Sequence, residues 1–127
     1  MLKYLLFFIG IICFIACDSS ETSLGQEYKI FEHDVSTTRN LYYKSQGIGP
    51  SPICSVGFNE QYIWVKLCKQ KEGVSYYLVD RKLYAQSPLQ RESPGYWEFG
   101  NLSNLQSKLL ENGISVNWKQ EYHNPYE

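Results

Sequence analysis

Residues Tyr62 to Cys68 read Tyr-Ile-Trp-Val-Lys-Leu-Cys. In an extended chain this places Ile63, Val65 and Leu67 on one face and Tyr62, Trp64 and Cys68 on the other. A strand that is apolar on both faces belongs inside a sheet, with a neighbour on either side. Both neighbours are legible. Ile53 to Phe58 precedes it, with Cys54, Val56 and Phe58 on one face, and Asn59-Glu60-Gln61 makes the turn. Lys69 to Gly73 is a charged turn ending in Gly, and Val74 to Asp80 is the return strand. Three strands joined by short turns form an antiparallel meander.

The rest of the chain is arranged around that meander. Tyr28 to Glu32 and Arg39 to Lys44 read as two shorter strands, and Gln46 to Pro52 as a Gly- and Pro-rich loop. Arg81-Lys82 turns the chain, and Leu83 to Ala85 reads as a short further strand. Gln86 to Gly100 is irregular, broken by Pro88, Pro94, Gly95 and Gly100. A helix is predicted over Leu102 to Asn112. Leu102, Leu105 and Leu109 form its apolar stripe, and Asn101 or Ser103 caps it. Gly113 is placed for a left-handed stop, with Ile114 folding back onto Leu109. Ile114, Val116 and Trp118 alternate with polar residues and predict a half-buried strand. Glu121 to Glu127 reads as a polar tail. The expected fold is α+β: a small antiparallel sheet of five or six strands around a central meander, with one C-terminal helix packed on a face.

The N-terminus carries an address. Lys3 precedes Tyr4 to Ile15, an almost unbroken apolar run of twelve residues. That is short for a membrane span and right for the core of a signal peptide. The run ends in Phe14-Ile15-Ala16-Cys17, which resembles a bacterial lipobox. Ala16 supplies the small residue needed before the cut, and the Cys17 thiol is the nucleophile that can carry a thioether-linked diacylglycerol. Two or three acyl chains make a stable anchor, whereas one binds only marginally. The expected division is a signal peptide over 1–16, a lipidated tether over 17–26, one domain over 27–120 and a tail over 121–127. Taking 16 from 127 residues leaves 111, the size of one small domain. Loss of Lys3 leaves 11 of the 12 basic residues against 13 acidic ones, a charge of −2. No broad cationic face is available, which argues against nucleic acid as a partner. The implied address is the bacterial cell envelope, with the protein lipid-anchored to a membrane and facing the periplasm or the surface.

Cys54 and Cys68 are the two cysteines left after processing, and the implied compartment permits a disulfide. Direct opposition needs paired positions summing to 122. A three-residue loop at Glu60-Gln61-Tyr62 gives that sum. A two-residue loop at Glu60-Gln61 gives 121 and sets Leu67 against Cys54. The pair is therefore either a bridge closing about 15 residues and contributing roughly 3 kcal/mol, or two buried thiols behaving as small hydrophobes. No CxxC and no pair of His residues accompanies them, so neither a metal site nor a cofactor is expected.

Groups able to do chemistry are sparse. His33-Asp34 is the adjacent His–carboxylate pair, followed by Ser36, but without the spacing of a hydrolase triad or a GxSxG elbow. His123 lies in the expected tail. Gly47-Ile48-Gly49-Pro50 lacks the GK[ST] of a phosphate cradle. Glu92, Glu98 and Glu111 are scattered, with no spacing that singles out a pair. Aromatic residues remain: Tyr42-Tyr43, Tyr76-Tyr77 and Tyr96-Trp97 are adjacent pairs, one of each expected inward and one outward. Ser93-Pro94-Gly95-Tyr96-Trp97 reads as an exposed loop, which makes Tyr96 and Trp97 the candidate partner-binding residues.

Val56-Gly57-Phe58-Asn59-Glu60-Gln61-Tyr62-Ile63, Tyr76-Tyr77-Leu78-Val79-Asp80-Arg81-Lys82, Ser87-Pro88-Leu89 and a Leu-rich helix ending in Gly113-Ile114 follow one another in this order. This arrangement resembles a family of small bacterial lipoproteins, the domain of unknown function 3997 family, over about residues 26–116. Ser87 stands where that family usually has Gly. The resemblance implies a lipidated Cys17 and carries over no other functional residue. Sequence alone therefore points to a membrane-anchored, non-catalytic binding or envelope module with a protein partner. The alternatives are an immunity or inhibitor lipoprotein that neutralises a toxin or an envelope hydrolase, and, in a different class, a small hydrolase.

Overall fold

The computed structural model describes residues 20–32 and 36–127, and the signal segment, Cys17 and the His33-Asp34 pair lie outside them. Within the described residues the fold is α+β, with two antiparallel sheets and one main helix. The strands are β1 (Ser20–Gly25), β2 (Tyr28–Glu32), β3 (Asn40–Tyr43), β4 (Gln46–Gly47), β5 (Ile53–Phe58), β6 (Tyr62–Lys71), β7 (Val74–Asp80), β8 (Tyr96–Phe99) and β9 (Gln120–Glu121). Helix α1 spans Arg81–Gln86 and α2 spans Leu102–Leu110. One sheet has the order β1-β2-β3-β4, the other β8-β7-β6-β5-β9.

β6 occupies the middle of the five-stranded sheet because both of its faces are apolar. Ile63, Val65 and Leu67 meet Leu24, Tyr28, Ile30 and Leu41 of the other sheet in one buried cluster. Tyr62 and Trp64 point the opposite way and meet Leu105 and Leu109 of α2 in a second. The molecule is thus three layers: a four-stranded sheet, a five-stranded sheet and a helix. The second sheet takes in strands for which sequence reading expected only one layer.

Helix α2 forms as its sequence dictates. Asn101 Oδ1 accepts from Asn104 N at 2.9 Å, Leu105 and Leu109 are fully buried, and Gly113 has φ 70°. Ile114 N donates to Leu109 O at 3.1 Å, which closes the helix with a left-handed cap. Helix α1 replaces the short strand expected at Leu83 to Ala85. Asp80 Oδ1 accepts from Leu83 N at 3.0 Å, and six residues are too few to display a helical period.

Four further expectations are corrected. The tether proposed over 17–26 contains β1: from Ser20 on, the chain pairs with β2, and Leu24 is buried. The tail proposed over 121–127 begins inside β9, which pairs with β5, so the domain expected over 27–120 extends past both limits. The irregular stretch 86–100 contains β8, paired with β7. Ile114 to Trp118 is not a strand. It crosses the outer face of the five-stranded sheet, where the Trp64 indole donates to Asn117 O at 3.0 Å. Gly57 makes this crossing possible: a Cβ there would collide with the Trp64 indole and the Asn117 carbonyl.

Cys54 and Cys68 are joined in the structure, with Cα atoms 4.7 Å apart. Phe58 faces Ile63 and Val56 faces Val65, the register that sets Leu67 against Cys54. A bulge between Ile53 and Ser55 then shifts the pairing, so that Ile53 faces Leu67. Cys54 is the extra residue of that bulge and is displaced toward Cys68. A bulge, rather than turn length, brings the two sulfurs together.

Candidate functional site

The sandwich has two unlike ends. At one, β1 begins at Ser20 opposite Glu32, and Arg39 bridges to Ile53, where β5 begins. At the other, β1 ends at Gly25, and Leu24 and Gly25 line a cavity with Phe58, Asn59 and Glu60, where β5 ends. The two strands therefore run the same way, and the Ser20 end and the Gly25 end lie at opposite poles.

Each pole holds one buried arginine. Arg39, 3% exposed, sits at the Ser20 pole. Its Nε donates to Glu32 Oε2 at 3.4 Å, and its Nη1 donates to Ile53 O at 2.7 Å and His123 O at 3.2 Å. Its guanidinium lies 4.5 Å from the Tyr122 ring centroid. Asn124 Nδ2 donates to Cys68 O at 3.2 Å, so the C-terminal segment, the disulfide and Arg39 are tied into one knot. This explains why residues beyond Gln120 are not a free tail.

Arg81, 4% exposed, sits at the Gly25 pole. Its Nη1 donates to Leu24 O at 2.7 Å and Gly25 O at 3.1 Å, its backbone N to Gln61 O at 2.9 Å, and its carbonyl accepts the Tyr28 hydroxyl at 2.7 Å. Arg81 thus links the β1–β2 turn, the β5–β6 turn and the start of α1. Its Nε has no acceptor, and among the described residues no carboxylate lies within ion-pair reach of it. Burial pulls the guanidinium below the ordinary arginine range, with Tyr28 acting in the other direction. Burial likewise pushes the Tyr28 hydroxyl upward.

The turn that Arg81 holds is strained. Gln26 and Glu27 form the two-residue loop between Gly25 and Tyr28, and Gly25, Gln26 and Glu27 have φ of 84°, 55° and 70°. Such a loop favours Asn-Gly, and left-handed backbone at other residues costs roughly 1–2 kcal/mol each. The Arg81 side chain takes up the two carbonyls that this turn directs inward.

Two cavities flank Arg81. One, of about 270 Å³, is lined by Phe58, Asn59 and Lys119 among others, and the second, of about 450 Å³, by Tyr28, Lys82 and Ala85. Gln26, Glu60 and Arg81 line both. Lys119 Nζ lies 4.6 Å from the Phe58 ring centroid and the Arg81 guanidinium 5.9 Å from it, so two cations share one ring. A larger groove between the 46–49 and 88–92 loops has its polar groups engaged internally: Gln90 Nε2 donates to Gly47 O at 2.9 Å and Asn40 Nδ2 to Gly49 O at 3.1 Å.

The candidates picked from sequence fall elsewhere. Tyr96 and Trp97 are not an exposed loop. Tyr96 is 7% exposed in β8 and donates to Glu98 Oε2 at 2.6 Å, and Trp97 is half-buried against the helix cluster with Lys108 Nζ 4.8 Å from its ring. Strand pairing with β7 draws Tyr96 inward and leaves Trp97 partly buried, so the two do not form the exposed loop expected from sequence. Glu98 is held by Arg91 at 2.6 and 3.0 Å. Burial alone would raise its carboxyl, but Arg91 and Tyr96 outweigh that and hold it below the usual range. Glu111 pairs with Lys108 at 3.5 Å. Among the described residues, no group of three His, Cys, Asp or Glu side chains is placed to hold a metal, and no helix is long and apolar enough to cross a membrane. In the sequence Arg81 falls in a predicted turn, and no local pattern marks it. The chain matches no family model, no curated protein and no solved structure with which it was compared.

Proposed function

We propose that this chain is a bacterial envelope lipoprotein, anchored through Cys17 and working as a non-catalytic binding module. The observation that carries the anchor is the apolar run ending in Phe14-Ile15-Ala16-Cys17, and the position of β1 sets what such an anchor does to the fold. That strand begins at Ser20, so that only Asp18 and Ser19 separate it from the expected lipidated cysteine. Three residues reach at most about 10 Å. An anchor at Cys17 therefore holds the Ser20 pole at the bilayer and turns the Gly25 pole away from it. The division of labour between the poles supports this arrangement. Both poles carry cavities, but the buried arginine of the Ser20 pole is charge-paired beside a disulfide, whereas that of the Gly25 pole has no counter-ion among the described residues. The resemblance to the domain of unknown function 3997 family belongs to the same proposal and rests on the residues quoted for it.

Metabolic labelling with an alkynyl fatty acid tests the anchor. The expected result is a labelled, membrane-bound wild type and an unlabelled, released Cys17→Ser variant. A Cys17→Ser protein that keeps its label, or a wild type that never acquires one, would contradict the reading.

A further inference from the structure

We propose that the cavity at the Gly25 pole binds a carboxylate, held by the free edge of the Arg81 guanidinium and drawn in by Lys119. This goes beyond the anchoring reading and does not depend on Cys17.

A guanidinium has five N–H donors. Arg81 uses Nη1 on two backbone carbonyls, which are neutral acceptors. Nε is left with none. A buried cation without a counter-ion is costly, and such groups are ordinarily paired. Arg39, equally buried in the same molecule, has Glu32 at 3.4 Å. The missing element beside Arg81 is therefore an anion.

The geometry selects the anion's class. With Nη1 committed, the remaining donors lie along the Nε–Nη2 edge, whose two parallel N–H bonds match the two oxygens of a carboxylate. Of the two cavities beside Arg81, the one that Lys119 also lines is the smaller, about 270 Å³, below the usual range for drug-sized ligands, so it suits an acidic terminus rather than a whole cofactor. Lys119 adds a second positive charge at the same cavity, with no carboxylate in ion-pair reach among the described residues. Glu60 lines the cavity as well and is the one acidic side chain there. Its repulsion lowers the affinity for any incoming carboxylate. Gln26 and Glu60 are both exposed and border both cavities, so they are the side chains that must yield for a ligand to reach Nε. The left-handed turn at Gln26 and Glu27 stores local strain beside this point, a pattern that recurs at binding sites.

The test follows the Arg81 Nε–H resonance of the full-length protein in detergent micelles. Sodium acetate, a short oligoglutamate peptide and sodium phosphate are titrated in at constant ionic strength, with chloride as the reference. Acetate and the peptide are expected to move the resonance saturably. Lys119→Ala should weaken, and Glu60→Gln strengthen, the binding by about threefold each, as exposed charge pairs do. Arg81→Lys should abolish the carboxylate response; if that variant does not fold, the other two carry the test. Tighter binding of the peptide than of acetate assigns the site to an acidic side chain of a protein partner, and the reverse order assigns it to a small free acid. Either order supports the carboxylate site. No saturable shift with either carboxylate, or a response that phosphate or chloride matches, overturns it.

Discussion

Arg39 and Arg81 are a matched pair in opposite circumstances. Both are charged, both are at least nine-tenths buried, and both brace a strand end with backbone carbonyls. Arg39 also has a carboxylate, an aromatic ring and the C-terminal segment around it, and the disulfide lies close by. Arg81 has two aromatic rings at longer range and a donor left over. One arginine is paired as structure and the other keeps an unused donor. Burial alone therefore does not separate a structural arginine from a binding one; the inventory of its donors does.

The comparison can be broken at several points. The largest effect is expected for Arg39→Met, which removes a buried guanidinium bonded to Glu32 and to the Ile53 and His123 carbonyls and should cost about 3 kcal/mol or more in denaturant unfolding. Reduction of Cys54–Cys68 at the same pole should cost about 3 kcal/mol, read by the same measurement with and without reductant. Arg81→Met should cost less, about 1–2 kcal/mol, because it strands the Leu24 and Gly25 carbonyls but no carboxylate. Equal losses at the two arginines would erase the distinction drawn between the poles. The double substitution Gln26→Asn with Glu27→Gly should stabilise by about 1 kcal/mol by relieving left-handed strain; a loss would mean that the turn is held by something other than its backbone geometry.

The smallest effect lies at neither pole. The lowered Glu98 carboxyl contributes stability that is present above its unfolded value near 4.5 and is lost as pH falls through its lower folded value. Glu98→Gln should flatten the acid limb of the stability profile below that point. It should leave the Arg39–Arg81 difference unchanged at neutral pH. An acid limb that survives the substitution would move the effect to another carboxylate.

Legibility in the sequence follows the strength of local signals. The two-faced strand β6 was readable because each of its faces is apolar, and α2 because its cap, its Leu stripe and Gly113 agree with one another. β1 was not readable: Ser20 to Gly25 is polar apart from Leu24, and it joins the sheet through main-chain pairing with β2. α1 was hidden because six residues from Arg81 carry a cap but no period. β8 was readable as aromatic but not as inward, since pairing with β7 is a long-range fact. Ile114 to Trp118 alternates like a strand, yet the Trp64 indole and the Gly57 gap hold it as a crossing segment. The binding candidate was the least legible of all. Arg81 stands apart only in having no carboxylate beside it among the described residues, and that is a property of the fold.

The central claim is that the poles are oriented: Ser20 toward the bilayer and Gly25 away from it. The full-length lipidated protein in nanodiscs carrying a headgroup-linked paramagnetic lipid tests this directly. Five strand residues separate Ser20 from Gly25 by about 17 Å. Amide signals of Glu21 and Phe31 are therefore expected to broaden strongly, and those of Gly25, Glu60 and Arg81 to be spared. Uniform broadening, or stronger broadening at Arg81 than at Glu21, would contradict the account.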